Sequence, residues 1–167
     1  MSDPRLSSLQ VLDCTIRDGG YLNNWEFDPK IVRDLYRNIS RAGIHIIEMG
    51  FRNKPKAGSC AWFSVSDELL RSAIGDIAGA PIALLIDVGD ADPSSIPPAA
   101  DSRIQMYRIA SQKDGLQKAA EISHEIRAKG YQTTLRLMGI SGYSIGDRKN
   151  ILPVLTRCQA DYIYFAD

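Results

Sequence analysis

The sequence predicts an α/β fold of serial βα units, and three observations carry that reading. Apolar runs recur as strand candidates: 9–15, 45–51, 82–88, 104–110, 133–138 and 162–166. Several are continuously apolar, as in Ile82-Ala83-Leu84-Leu85-Ile86, the pattern of a parallel strand buried on both faces. Segments of helical period lie between them, punctuated by glycines. About six such units in series leave two architectures, an open doubly wound sheet or a closed (β/α) barrel.

Each helix has its own start and stop. Asp28 is the expected N-cap, with Pro29 at the first helical position. Ile31, Val32, Leu35, Tyr36, Ile39 and Ala42 then follow at helical spacing, and Gly43 ends the run. A second helix is expected over 67–77, a third over 114–129 and a fourth over 147–158. Pro153 either kinks that last helix or marks a late start. The Pro- and Ser-rich segment 92–102 reads as a long loop or a short distorted helix.

Composition bounds the function. The chain has 167 residues, a scale that suits one domain of roughly 100–200 residues. Twenty basic and twenty acidic residues cancel, so no global charge favours nucleic acid or an anionic membrane as partner. No apolar stretch approaches the roughly 20 residues of a membrane span. The polar start, Met1 to Ser8, lacks the apolar centre of a signal peptide. Three scattered cysteines, Cys14, Cys60 and Cys158, form no CxxC pair, and a reduced, cytoplasmic setting is expected. No GxGxxG follows the first strand and no phosphate-binding P-loop is present, which disfavours a nucleotide-binding open sheet.

The chemistry gathers where α/β folds keep it, at strand C-termini. The first strand is expected to run into Asp13-Cys14-Thr15-Ile16-Arg17-Asp18-Gly19-Gly20, with Asp13, Thr15 and Arg17 on one side of the strand. Arg17 beside Asp18 reads in two ways. It is either a plain surface ion pair of little energetic value, or a divalent-cation ligand next to a cationic fork for an oxyanion or carboxylate. Glu48 follows two isoleucines in a strand that should be buried, so it must be paired or functional, and Arg17 is its natural partner. Asp87 is a further acid inside an apolar strand. Arg108, between apolar neighbours, is expected to pair with an acid inside the site, and Arg136 and Asp167 lie on the last two strands. Arg52 reads as another site residue or a loop charge, with the loop favoured. Segment 53–65, with Gly58, Trp62 and Phe63, reads either as a substrate lid or as an ordinary loop with aromatic anchors. His45 sits at the wrong end of its strand for chemistry, and His124 lies among polar helix neighbours.

These residues resemble a known family. Asp13-x-Thr15-Ile16-Arg17-Asp18-Gly19 is similar to the opening signature of the DRE-TIM metallolyases, relatives of 3-hydroxy-3-methylglutaryl-CoA lyase. Ile47-Glu48-x-Gly50-Phe51, Tyr107-Arg108-Ile109-Ala110, Leu137-Met138 and Tyr162-Ile163-Tyr164-Phe165-Ala166-Asp167 resemble later strands of its 4-hydroxy-2-oxovalerate aldolase branch. The resemblance implies a (β/α)8 TIM barrel with Mn2+ or Mg2+ at its mouth. It implies Asp18 as metal ligand, Arg17 as stabiliser of a pyruvate-like enolate, and Glu48 as the residue that orients Arg17. Arg108 and Asp167 would join Arg17 in binding substrate, a small 2-oxo acid. Tyr21 stands where the aldolase branch carries a histidine, and is the expected acid/base. The family's HxH metal pair belongs to strand seven. Residues 1–167 are therefore expected to be a single barrel domain cut short before strands seven and eight, with little activity of its own. Exposed sheet edges then favour a homo-oligomer or pairing with the missing barrel half. A Claisen-type acyltransferase of the same family and a non-catalytic binding or scaffold domain are the alternatives.

Overall fold

The computed structural model describes residues 9–167; the polar segment 1–8, and the expectation that it holds no signal peptide, lie outside the described residues. Six parallel strands form one sheet in the order β1-β2-β3-β4-β5-β6: β1 (Leu12–Asp13), β2 (Ile46–Phe51), β3 (Ile82–Asp87), β4 (Ile104–Ser111), β5 (Gln132–Met138) and β6 (Tyr162–Ala166). Strand order follows chain order throughout, so no strand reverses the winding, as a doubly wound sheet would require. The sheet curls like part of a barrel wall. The Tyr162 hydroxyl of β6 reaches Gln10 Oε1, just before β1, at 3.4 Å across the curl.

Among the described residues, five helices accompany the strands: α1 (Thr15–Asn23), α2 (Pro29–Arg41), α3 (Asp67–Ile74), α4 (Leu116–Ala128) and α5 (Ile145–Arg157). Asp28 caps α2 through the Lys30 N–H, with Pro29 inside the first turn. Helix α3 stops at Gly75 (φ +56°), short of Ile77. Helix α5 starts earlier than expected, because Ser144 and Asp147 form a reciprocal capping box; Pro153 is accommodated inside it. Segment 92–102 resolves into two short 3-10 turns, Pro93–Ser95 and Ala99–Asp101.

The main departure lies at the opening motif. β1 is only Leu12–Asp13, and helix α1 begins at Thr15. Thr15 and Arg17 therefore do not share a strand face with Asp13. The Asp13 carboxylate accepts from the Thr15 N–H and from the Thr15 hydroxyl, each at 2.9 Å, and so turns the chain into the helix.

Two faces of the sheet differ in kind. On the helix side, Ile47, Met49, Leu84, Ile86, Tyr107, Ile109, Leu135 and Leu137 join Val32, Leu70, Leu116, Ile122 and others in one large core. On β5 this side is fixed by Thr133, whose hydroxyl meets Ser123 of α4 at 2.6 Å. The alternate residues, Thr134, Arg136 and Met138, consequently face inward on the curl. The inner face carries two small apolar layers. Leu12, Ile46, Ala83 and Met106 form the lower one, and Phe51, Leu85 and Ala110, with Trp25 and Phe63, form the upper. Charged side chains sit between them.

Candidate functional site

Glu48 is the centre of the inner face. It has no solvent exposure, and it accepts from Arg17 Nε at 2.5 Å and from Arg108 Nη1 at 2.6 Å. Arg17 is 4% exposed and Arg108 is 6% exposed. A carboxylate and two guanidiniums this deep persist only because each offsets the desolvation of the others. Burial opposes the charge of both arginines, but the adjoining Glu48 outweighs it and holds each above the ordinary arginine range. Arg17 also pairs with Asp18, whose carboxylate is more than half exposed. The first turn of α1 thus presents one guanidinium between a sealed carboxylate and an open one. A guanidinium has five N–H donors, and these two partners leave others unused.

Aromatic packing fixes this arginine further. Trp25 Nε1 donates to the Arg17 carbonyl at 2.9 Å, and the Arg17 guanidinium lies 5.9 Å from the Phe51 ring centre. Trp25, Phe51 and Phe63 pack together with ring centres 5.3–5.5 Å apart. The arrangement depends on Gly20, because a Cβ there would lie 2.0 Å from the Trp25 ring. It also depends on a left-handed backbone at Asn24 (φ +55°) and Trp25 (φ +57°), a conformation unusual for a bulky residue. Gly50 plays a parallel role in β2. With φ +147° it sits where the β2–β3 register shifts, and a Cβ would fall 2.4 Å from the Trp62 carbonyl.

The remaining expected residues are spread around this centre. The Cys14 thiol lies 3.6 Å from Arg108 Nη1, and burial followed by the Glu48 charge pushes it up from the ordinary thiol range. Tyr164 of β6 places its ring 5.0 Å from the Arg108 guanidinium. Asp87 joins Asn53 instead of an arginine: Asn53 Nδ2 donates to it at 2.9 Å, and its own N–H donates to Asn53 Oδ1 at 2.9 Å. Tyr21 is 67% exposed and meets the edge of Trp25 at 4.8 Å. Asp167 lies at the end of β6 and accepts from the Ser141 N–H at 2.8 Å, which holds its carboxyl below the usual range. Arg17, Asp18, Glu48 and Arg108 are therefore brought together, whereas Tyr21 and Asp167 sit at the rim. Arg52 braces loops through the Val65 and Ser95 carbonyls. His45 accepts from the Val11 N–H at 3.0 Å, a structural contact at the opposite end of the sheet.

Asp18 is the one carboxylate of this centre that a cation could reach. Among the described residues no group of three or more His, Cys, Asp or Glu side chains gathers to hold a metal. A single hard oxygen donor fits Mg2+ or Mn2+ as one ligand of an octahedral shell, and alone it supports only weak binding. Among the described residues no helix is long and apolar enough to cross a membrane.

Sequence reasoning missed Trp25 and Asn53. Asn23-Asn24 ahead of the tryptophan was a usable signal, because asparagine tolerates the left-handed region. Nothing local marked Asn53, whose role exists only through contact with β3.

Comparisons with known proteins point one way. No family model matches the chain. It is 28% identical over 113 residues to 4-hydroxy-2-oxovalerate aldolase 2 of Rhodococcus opacus, covering 66% of this chain and 33% of the relative. It is 25% identical over 164 residues to 4-hydroxy-2-oxovalerate aldolase of Geobacillus genomosp. 3, covering 96% of this chain and 48% of the relative. The chain thus spans a third to a half of the length of these relatives. Among solved structures it resembles an N-terminal domain from Bacteroides vulgatus assigned provisionally to the aldolases, with TM-score 0.76 and 24% identity, over 94% of this chain and 54% of that one. The carboxyl transferase domain of Rhizobium etli pyruvate carboxylase, solved with pyruvate and biocytin, matches with TM-score 0.65 and 12% identity, over 95% of this chain and 30% of that one. At these identities the structural matches speak for the fold: an incomplete TIM-barrel type.

Proposed function

We propose that this chain carries part of the active site of an aldolase-type carbon–carbon lyase acting on a small 2-oxo acid. The observation that carries the reading is the buried Arg17–Glu48–Arg108 group beside the open carboxylate of Asp18. Similarity to proteins named aldolases supports the same class.

The chemistry suits a retro-aldol cleavage. A base removes the proton of a 4-hydroxyl, the C3–C4 bond breaks, and its electron pair forms an enolate whose charge rests on the C2 oxygen. The departing half leaves as a carbonyl compound, and a proton returned to C3 gives the 2-oxo product. Arg17 is proposed to receive the enolate oxygen, a charge that develops only as the bond breaks. Glu48 holds Arg17 in place through Nε, Asp18 takes Nη1, and the remaining outer N–H groups are left for the substrate. Tyr21, at the rim, is the proposed proton carrier. Asp18 is proposed as one ligand of Mn2+ or Mg2+, whose further ligands the described residues do not supply.

Oxalate, a planar mimic of the enolate, tests the assignment by calorimetry. Arg17→Lys should weaken oxalate about tenfold, because a lysine cannot fill both the Glu48 contact and the oxyanion contact. Equal oxalate affinity in the two proteins would remove Arg17 from the site. Mn2+ titration followed by electron paramagnetic resonance should show weak binding that Asp18→Ala abolishes. Equal binding by both would end the metal role of Asp18.

A further inference from the structure

We infer that the inner face between β4 and β5 holds a second anionic group of the substrate, with Arg136 as its cation and Thr134 beneath it. The inference deepens the 2-oxo acid reading and rests on it for the identity of the molecule. It does not rest on it for the anion site itself.

Arg136 stands apart from every other sheltered arginine. Arg17, Arg37, Arg52, Arg103, Arg108 and Arg127 are each buried or half-buried, and each has an ion pair or a hydrogen bond to a backbone carbonyl. Arg136 is half-buried and, among the described residues, makes neither. Its guanidinium is not sealed from solvent, so with no protein acceptor it is an accessible anion receptor on the inner wall.

Its surroundings fit that use. The register places Arg136 beside Ala110 on β4 and Tyr164 on β6, and Thr134 beside Arg108. Ala110 is the small side chain of that layer, so nothing bulky on β4 fills the space next to Arg136. One layer deeper, Thr134 Oγ1 and Arg108 Nε are both buried and both lack a hydrogen-bond partner. Thr134 Oγ1 and Arg108 Nε, on adjacent strands, thus share one unmet requirement, an acceptor oxygen, beside the open guanidinium of Arg136. A carboxylate or a phosphoryl group meets it, with the Arg136 fork outside and the threonine hydroxyl inside. The substrate class becomes a 2-oxo acid bearing a second anionic group, its enolate end at Arg17 and its other end at Arg136.

Succinate, 3-phosphonopropionate and propionate test the site without calling on the 2-oxo chemistry. By NMR titration of the wild-type chain, succinate or 3-phosphonopropionate should bind about tenfold more tightly than propionate, the value of one charge-assisted contact. The tighter of the two dianions identifies the second group as carboxylate or phosphoryl. Arg136→Gln should erase the preference and leave oxalate affinity unchanged. Arg136→Lys should keep part of it, and Thr134→Val should weaken the dianion a few-fold. Arg136 holds no fixed contact, so its variants should melt with the wild type. Equal binding of propionate and both dianions, or a preference that survives Arg136→Gln, overturns the site. Loss of oxalate binding with the dianion preference intact would instead refute the Arg17 assignment alone.

Discussion

Strands β2 and β6 are built to the same pattern and meet opposite fates. Every residue of β2, Ile46–Phe51, is buried, including the charged Glu48. In β6, Tyr162, Ile163, Tyr164 and Phe165 are 37–59% exposed. Composition does not separate the two, since β6 is the more aromatic. Neighbours do: β2 has strands on both sides, whereas β6 pairs only with β5. Burial is a property of the sheet position, and it decides what a charge is worth there. On β2 a carboxylate must be matched by two arginines. At β6 the flanking Asp161 and Asp167 need only a side chain or a backbone N–H.

The largest expected effect breaks the β2 side. Glu48→Gln keeps the shape, leaves Arg108 as an uncompensated buried cation and leaves Arg17 with only the exposed Asp18. It should cost about 3–5 kcal/mol in denaturant unfolding, the usual penalty for removing one partner of a buried pair. A loss under 1 kcal/mol would mean that the two guanidiniums reach water when Glu48 is neutral.

Next in size is the packing above Glu48. Gly20→Ala places a methyl against the Trp25 ring and should cost roughly 1–3 kcal/mol through overpacking. In a Trp25→Ala background the same change should be close to neutral, or mildly stabilising through helix propensity. A full penalty in both backgrounds would show that Gly20 is needed for its backbone and not for the tryptophan.

How much of this was legible in the sequence follows the same division. β2 through β6 were readable because parallel buried strands leave continuous apolar runs, and α2 because Asp28-Pro29 is a local start signal. Glu48 was readable as a carboxylate where water could not reach, and Arg17 as its partner. Helix α1 was not, since two glycines and an isoleucine look like a strand end; the turn is made by the Asp13 carboxylate, and Gly20 makes room for Trp25. The second partner of Glu48 was readable only as an arginine in need of an acid, because Arg108 lies 60 residues away. The empty hand of Arg136 was not readable at all, since a missing partner has no sequence signal.

A smaller effect sharpens the β6 side. Asp161 ties the start of β6 to β5 by accepting from the Thr133 N–H at 2.9 Å, and it pairs with Arg127 of α4. Burial works against its charge, but these contacts prevail and hold its carboxyl below the usual range. A depressed carboxyl stabilises the fold fully above its ordinary pKa of about 3.9, and that contribution fades as pH falls through the lower folded value. Amide exchange in β6 should therefore accelerate, relative to β2, only below about pH 4. Asp161→Ala should cost about 1 kcal/mol and remove the acid sensitivity. Sensitivity persisting in that variant would assign it to another carboxylate.

The smallest effect on stability separates exposure from burial most directly. Phe165, in register with Leu137 on the helix side of the sheet, is 59% exposed. Phe165→Ser should change the unfolding free energy by less than about 0.5 kcal/mol, as for other surface sites. The same change should act on association, because a free strand edge flanked by apolar side chains is a template for another chain. Sedimentation at increasing concentration should show self-association in the wild type and less in the variant. A wild type that stays monomeric would show that the β6 edge is protected by something its exposure does not reveal. A stability loss of several kcal/mol would show that Phe165 packs on the chain itself, and the contrast between β2 and β6 would then be one of degree.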